Sequence, residues 1–265
     1  MQIVADNLHV IHPAIDEAVK RLDPEPIEQW VHRCLRAGAQ AIDINSGPLP
    51  SQPQKRFAFL VETVQEICSL PLVLDTTNPQ ALDAGLAVRN GPSIINGFSM
   101  EPQKLDRILP LATKYDVDII GYLLGPKSQV PIEPEEMMAL AVELFDACTS
   151  AGVPWQRLII DPIVAPLSWQ NGARHNQAVL SVIRSLPDLL DAPVRTIAGL
   201  SNLVSGPHST DYKIALQKAY LPMLAAAGLD LVLMNVLQAP VVQTARTCTA
   251  LLSDQILSWE QISGS

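Results

Sequence analysis

The sequence has few charged residues and no long uninterrupted apolar run. Charged side chains make up 17% of the 265 residues and hydrophobic ones 48%, which suits a compact globular protein with much buried sheet. No apolar run approaches the ~18 residues that a membrane span needs, and no basic segment precedes an apolar stretch at Met1. We therefore expect a cytoplasmic protein without a membrane partner.

Positive charge is also scarce. The chain has 18 Lys plus Arg against 27 Asp plus Glu, a formal charge of −9, and its basic residues form no cluster. Proteins that bind nucleic acid usually present a basic patch to the phosphates. We therefore expect no nucleic-acid partner.

Close pairs of cysteines are missing. Cys34, Cys68, Cys148 and Cys248 stand far apart, whereas metal sites and redox dithiols usually place cysteines a few residues from one another. Each lies in a segment with helical spacing of apolar residues. We expect four small buried side chains rather than reactive thiols.

Several motifs that carry chemistry are absent as well. We find no Gly-x-Gly-x-x-Gly after the first strand, no P-loop and no Gly-x-Ser-x-Gly elbow, which argues against the usual nucleotide-binding and serine-nucleophile sites. His9 and His12 have the spacing of a metal-ligand pair, but Pro13 follows them and the segment is predicted to be a loop. We predict no metal site.

What the sequence does contain is a series of apolar runs that end in a polar side chain. Leu72-Val73-Leu74-Asp75 is typical of a strand buried on both faces, and Thr76-Thr77-Asn78 is then predicted to be the turn that opens a helix. The same pattern recurs at residues 41–45, 93–96, 158–161, 196–202 and 231–235.

Strand and helix patterns alternate along the whole chain. Predicted strands start near residues 2, 40, 71, 93, 117, 158, 194 and 229, and the helical patterns run over residues 27–38, 57–68, 79–88, 102–114, 133–151, 178–186, 214–227 and 241–252. Eight such units of about 30 residues each predict an α/β protein with the TIM (β/α)8 barrel fold, as one domain over residues 1–265. An open doubly wound sheet is the alternative.

A barrel would bring the polar strand ends together, because the carboxyl ends of its parallel strands meet on one face. A single Asp or Asn at such a turn is adequately explained by capping of the next helix. A set of eight favours a binding site. The set is Asp6, Asp43, Asn45, Asp75, Asn96, Asp161, Asn202 and Asn235.

Carboxylates and amides suit a planar heterocycle that presents several N–H groups and a carbonyl. A carboxylate can accept two parallel N–H bonds from an amidine-like edge, and it needs such partners because burial of a bare charge costs several kcal/mol. The sequence therefore favours a pterin or a purine as ligand.

The motifs resemble, in order and spacing, those of the pterin-binding methyltransferases, a family related to dihydropteroate synthase. The likeness is nearest to the methyltetrahydrofolate:corrinoid/iron–sulfur protein methyltransferases and covers essentially the whole chain. It rests on Asp43-Ile44-Asn45-Ser46-Gly47, Leu74-Asp75-Thr76-Thr77-Asn78, Ile95-Asn96-Gly97, Ile160-Asp161-Pro162 and Gly199-Leu200-Ser201-Asn202.

The resemblance implies roles for individual residues. Asp75, Asn96 and Asp161 would bind the amino-pyrimidinone edge of the pterin, and Asn202 would approach N5, the atom that carries the transferred methyl group. A donor at N5 helps because a tertiary amine leaves poorly unless it is protonated. Further expected members of the substrate site are Asp43, Asn45, Gly199 and Ser201.

The resemblance also implies partners. Tetrahydrofolate or methyltetrahydrofolate would be one substrate and the cobalt of a corrinoid the other. The chain lacks the Asp-x-His-x-x-Gly motif of cobalamin-binding modules, so the corrinoid would arrive on a separate corrinoid protein. Relatives of this kind are typically homodimers, which is the expectation here.

Two other functions stay open from the sequence. A dihydropteroate synthase would share the barrel and pocket, but its first-loop and seventh-strand motifs are missing, including the cations that stabilise a pyrophosphate leaving group. A non-catalytic subunit that binds a pterin or a corrinoid protein is the other, because the first loop reads Ala5-Asp6-Asn7-Leu8-His9 instead of the family's Gly-Glu-Arg-Ile-Asn.

Overall fold

The computed structural model of the protein describes residues 1–253. Within this range eight parallel strands form a closed barrel in sequence order, and pairing of the first strand with the last, from Gln2 with Leu231 to Ala5 with Met234, completes the ring. The predicted TIM barrel is confirmed, and closure excludes the open doubly wound sheet. The single-domain prediction over residues 1–265 stays a prediction, and residues 254–265 lie outside the described part.

The strands agree in order with the prediction and differ by a few residues at their ends. They are β1 (Gln2–His9), β2 (Ala41–Asn45), β3 (Leu72–Asp75), β4 (Ser93–Phe98), β5 (Asp118–Tyr122), β6 (Leu158–Asp161), β7 (Arg195–Gly199) and β8 (Leu231–Met234).

The helices surround the barrel. They are α1 (Pro13–Arg21), α2 (Glu25–Ala37), α3 (Pro53–Ile67), α4 (Pro79–Val88), α5 (Pro102–Arg107), α6 (Leu109–Tyr115), α7 (Pro134–Ser150), α8 (Gly172–Leu190), α9 (Thr210–Ala227) and α10 (Ala239–Leu251). Among residues 1–253, no helix combines the length and apolar character needed to cross a membrane.

Helix α1 and the division between α5 and α6 were not predicted. Pro13 was interpreted as a loop signal, yet it occupies the first turn of α1, where its missing N–H costs no hydrogen bond. The predicted helix over residues 102–114 divides at Ile108, and Pro110 follows, which cannot donate the backbone hydrogen bond that a continuous helix requires there.

The barrel interior contains an apolar layer with one residue from each strand. It consists of Val4, Ala41, Val73, Ile94, Ile120, Ile159, Ile197 and Leu231. Burial of each Val, Ile or Leu side chain contributes about 1.5–3 kcal/mol to folding. The layer therefore forms a solid floor across the barrel.

The position two residues after each floor residue faces the same interior, because side chains alternate along a strand. This second layer lies nearer the carboxyl ends of the strands and is largely polar. Its members are Asp6, Asp43, Asp75, Asn96, Tyr122, Asp161, Gly199 and Leu233. The period of two therefore places the polar strand ends above an apolar floor.

Candidate functional site at the mouth of the barrel

A cavity of about 320 Å³ opens at the carboxyl ends of the strands. All eight residues predicted for the site line it: Asp43, Asn45, Asp75, Asn96, Asp161, Gly199, Ser201 and Asn202. Asp6 and His9 of β1 and Tyr122 of β5 line it as well. The fold therefore brings together residues that are up to 159 positions apart in the predicted set, from Asp43 to Asn202.

Asp75 stands between two amide side chains. In the sheet it pairs with Asn45 of β2 and with Asn96 of β4. Asn45 Nδ2 donates a hydrogen bond of 2.5 Å to Asp75 Oδ2, and Asn45 Oδ1 accepts one of 3.0 Å from the Gly47 N–H. The Gly47 contact orients the amide, so Asn45 can act as a donor toward the carboxylate.

The turn after Asp75 has the predicted capping role. Asn78 Oδ1 accepts hydrogen bonds from the backbone N–H groups of Gln80, at 3.0 Å, and Ala81, at 3.1 Å. These contacts begin α4 and hold the end of β3 in place.

Asp161 is a partly buried carboxylate with one backbone donor. The Ile163 N–H donates to Asp161 Oδ1 at 2.8 Å. Burial raises the pKa of Asp161 to about 7, and the Ile163 hydrogen bond offsets part of the rise. The carboxyl group can therefore exchange a proton near neutral pH.

The loop that carries Ile163 is fastened by the start of α8. His175 Nε2 lies 2.6 Å from the Ile163 carbonyl oxygen, and its Nδ1 lies 2.9 Å from that of Pro131. Asn176 makes two hydrogen bonds of 2.9 Å with the backbone of Ala165. These contacts fix the segment that positions Asp161.

Asp43, which is buried, and Asp6, which is partly buried, add two carboxyl groups to the same cavity. Burial raises the pKa of Asp43 well above its usual range, and the charges of Asp75 and Asp6 raise it further. Asp43 Oδ1 has no hydrogen-bond partner within residues 1–253. The pKa of Asp6 is raised by burial and partly lowered by Ser201, whose Oγ donates at 2.5 Å to Asp6 Oδ2.

Asn202 follows β7 in a short 3-10 helix over Leu200–Val204. A Cβ at Gly199 would lie 3.0 Å from Asn202 Nδ2. Glycine at this position therefore leaves room for the Asn202 amide beside the strand end, which gives the Gly199-Leu200-Ser201-Asn202 motif a steric reason.

Tyr122 was not predicted as a site residue. It lies two residues after the floor residue Ile120 and therefore faces the same interior. Its Oη donates a hydrogen bond to Asn96 Oδ1. Burial raises the pKa of Tyr122 well above its usual range, and the carboxylates of Asp75, Asp161 and Asp43 add to the effect. The phenol therefore stays a neutral donor.

Two residues differ from the expectation. His9 was placed in a loop but is the last residue of β1 and lines the cavity. Asn235 was expected at the mouth with the other strand ends, but its Oδ1 accepts a hydrogen bond of 2.7 Å from Asn7 Nδ2 and another from the Leu237 N–H at 2.9 Å. Asn235 therefore holds the β8 loop against β1 rather than lining the cavity.

The central cavity differs from the neighbouring side cleft in the charge of its lining residues. Within residues 1–253, no group of three or more His, Cys, Asp or Glu side chains is arranged to hold a metal ion. The central cavity is lined by neutral and acidic residues together with His9. Lys104 and Arg107 instead line a side cleft of about 270 Å³ next to it.

Comparison with known proteins agrees with this geometry. Residues 14–235 match the model of the family described as "Pterin binding enzyme". A methylcorrinoid:tetrahydrofolate methyltransferase of Eubacterium limosum is 27% identical over 211 residues, which cover 78% of this chain and 75% of the relative.

Solved structures share the fold. Dihydropteroate synthase of Yersinia pestis superposes with a TM-score of 0.70 at 16% identity, and that of Xanthomonas albilineans with a TM-score of 0.66 at 20% identity. Each comparison covers 96% of this chain and 94% of the other. Because the family model matches residues 14–235, which include strands β2 to β8, the chain belongs to the family of pterin-binding enzymes.

Proposed function

We propose that the protein transfers a methyl group between N5 of tetrahydrofolate and the cobalt of a corrinoid carried by a partner protein. The observation that carries the proposal is the position of Asn202, a neutral amide that lines the same cavity as Asp75, Asn96 and Asp161. The name of the Eubacterium limosum relative describes the same pair of substrates.

Asp75, Asn96 and Asp161 suit the amino-pyrimidinone edge of the pterin. The edge presents N–H groups beside acceptors, so it needs both carboxylate acceptors and an amide that accepts and donates. An isolated buried carboxylate is unstable, and N–H donors from the ligand would stabilise the charged forms of Asp75 and Asp161. Pterin binding would thus satisfy groups that the free protein leaves under-bonded.

Asn202 suits the reacting end of the pterin. When methyl leaves N5, negative charge develops on the nitrogen, and a hydrogen-bond donor there stabilises the transition state more than the ground state. An amide can also accept from a protonated N5. It can therefore serve methyl transfer in either direction.

The corrinoid would enter from solvent, because the cavity opens at the mouth of the barrel. In this proposal the corrinoid is a substrate held by the partner, and this chain's residues bind and orient the pterin beneath it. The partner protein and the homodimer suggested by the resemblance both belong to the proposal.

The dihydropteroate synthase alternative has less support. That reaction expels pyrophosphate, which calls for cationic side chains at the reacting centre, whereas Lys104 and Arg107 line the side cleft rather than the central cavity. The structural likeness to those synthases, at 16–20% identity, supports a shared fold and does not extend to a shared reaction.

A corrinoid spectrum tests the proposal directly. The protein is incubated without oxygen with methylcobalamin and tetrahydrofolate, and separately with cob(I)alamin and methyltetrahydrofolate. We expect interconversion of the two corrinoid spectra at a rate proportional to protein concentration. Binding of methyltetrahydrofolate without any conversion, even with corrinoid proteins added, would support the non-catalytic binding subunit instead.

A further inference from the structure

The side cleft next to the central cavity contains a lysine to which the proposed methyl transfer assigns no role. Asp75, Asn96 and Tyr122 line both spaces, so these three side chains form the wall between them. Lys104 of α5 lies on the far side of this wall.

Two contacts hold Lys104 in the cleft. Its Nζ lies 5.8 Å from the centre of the Tyr122 ring, a cation–π arrangement, and 3.7 Å from Glu101 Oε2. Glu101 in turn accepts a hydrogen bond from Ser128 Oγ, in the loop after β5. The ammonium group is therefore fixed beside the wall that contains Asp75.

The surroundings of Asp75 are mostly acidic or neutral, and the two cations that line the side cleft, Lys104 and Arg107, both belong to α5. Five side chains around Asp75 can carry a negative charge: Asp6 of β1, Asp43 of β2, Tyr122 of β5, Asp161 of β6, and Glu101, which precedes α5. The neutral neighbours are Asn45 of β2 and Asn96 of β4, and His9 lies at the end of β1. Burial lowers the pKa of His9, and the neighbouring His12 lowers it further.

We propose that Lys104 is a positioning residue that keeps the Asp75 carboxylate charged, so that Asp75 can accept hydrogen bonds from the pterin. The inference rests on the proposed function insofar as a pterin must occupy the central cavity. Lys104 acts from the side cleft and does not touch the pterin itself. Its substitution should therefore alter pterin binding through the charge of Asp75 alone.

The direction of the effect follows from the electrostatics. Burial raises the pKa of Asp75 to about 7, and Lys104 lowers it from a still higher value. Without the ammonium group, Asp75 would keep its proton to a higher pH and would present an O–H where the pterin presents an N–H. Pterin affinity at neutral pH would fall, and it would return once the pH exceeds the new pKa.

The experiment measures the dissociation constant of methyltetrahydrofolate by titration calorimetry from pH 6 to 9. The variants are Lys104→Met, which has a similar length without charge, and Lys104→Arg, which keeps the charge. Arg107→Met is the matched control, because Arg107 is a second cation on α5 that lines the same cleft.

For Lys104→Met we expect the pH midpoint of binding to rise by about one unit. Binding should then be about fivefold weaker at pH 7 and approach a tenfold loss at pH 6, since one pKa unit equals a tenfold change only below the midpoint. At pH 9 its affinity should equal that of the wild type. Lys104→Arg and Arg107→Met should follow the wild-type curve. In an Asp75→Asn background, Lys104→Met should have no further effect.

Two results would overturn the inference. One is an unchanged midpoint in Lys104→Met, and the other is an equal loss of affinity at every pH, which would indicate a steric role. If the wild type binds no methyltetrahydrofolate at any pH, the proposed function itself fails. A wild type that binds while Lys104→Met behaves identically removes only the role of Lys104.

Discussion

At the scale of single residues, the site concentrates carboxyl groups that burial makes costly. Asp6, Asp43, Asp75 and Asp161 line one cavity, and burial raises the pKa of each. Such groups destabilise a free protein at neutral pH and are retained where a ligand needs them. Their shared location supports the proposal that this cavity binds a ligand.

Asn202→Ala should separate chemistry from binding. The variant loses the amide that we propose to lie at N5, and a hydrogen-bond donor directed at developing charge typically contributes at least about 100-fold to a rate. We expect kcat for methyl transfer to fall by about that factor while the dissociation constant of methyltetrahydrofolate changes only a few-fold. Stopped-flow spectra of the corrinoid and calorimetry measure the two quantities.

Asn171→Ala serves as the control, because Asn171 is exposed at the start of α8 and its side chain makes no capping hydrogen bond. An equal loss of rate and affinity in Asn202→Ala would contradict the assigned role.

Asp75→Asn should have the opposite profile. The amide keeps the shape of the side chain but removes the charge that accepts pterin N–H groups, and a hydrogen bond to a charged group contributes about 1.5–3 kcal/mol. We expect the dissociation constant of methyltetrahydrofolate to rise about 10- to 100-fold, with a smaller change in kcat. Unchanged affinity would place the pterin elsewhere.

The polar residues at the strand ends differ in how well their positions could be predicted from the sequence. The polar strand ends could be read from the sequence because each follows an apolar run, but the same pattern did not distinguish Asp75, which lines the cavity, from Asn235, which bonds Asn7. That distinction depends on a contact 228 positions apart. Tyr122 was not identified from the sequence, because a tyrosine at the end of a strand has the same pattern as an ordinary buried core residue.

At the scale of elements, strands were easier to predict than helix ends. Most strands contain a short buried apolar run. Helix limits depend on prolines, and a proline can indicate either a loop or the first turn of a helix. The predicted helix over residues 178–186 ended before Pro187, yet α8 extends from Gly172 to Leu190 with Pro187 inside it. The contacts of His175 and Asn176 that hold the Asp161 loop also span 11–44 positions, beyond the reach of local pattern.

Packing between α3 and α4 provides a test at this scale. A Cβ at Gly85 of α4 would lie 2.6 Å from Phe57 Cδ1 of α3, and Phe57 is fully buried. Gly85→Ala should therefore lower the free energy of unfolding by about 1–3 kcal/mol, the usual cost of overpacking. Urea denaturation measures the change.

Gly91→Ala is the matched control, because a Cβ there meets no atom within 4 Å. Equal stability of the two variants would show that α3 and α4 are less closely packed than described.

At the scale of the whole molecule, buried carboxyl groups couple the stability of the barrel to pH. A carboxyl group whose pKa rises on folding keeps its proton in the native state after the unfolded chain has lost it. The free energy of unfolding then falls as the pH rises between the two pKa values. For Asp75 and Asp161 that interval runs from the ordinary aspartate pKa of 3.8 to about 7.

We therefore expect the ligand-free protein to be less stable at pH 8 than at pH 5, as measured by urea denaturation. Asp161→Asn should remove part of this dependence and stabilise the protein at pH 8 by something on the order of 2 kcal/mol. The exposed Asp188→Asn should leave the dependence intact. Greater stability of the wild type at pH 8 than at pH 5 would contradict the assignment of raised pKa values.

The two-layer interior has a consequence for protein engineering. The apolar floor lies two residues below the polar layer on each strand, or about 7 Å at the usual rise per residue. Substitutions in separate layers with few shared partners tend to add independently. A directed-evolution library for a new heterocycle should therefore vary only the upper layer and its loops, so that most of its members retain a folded barrel.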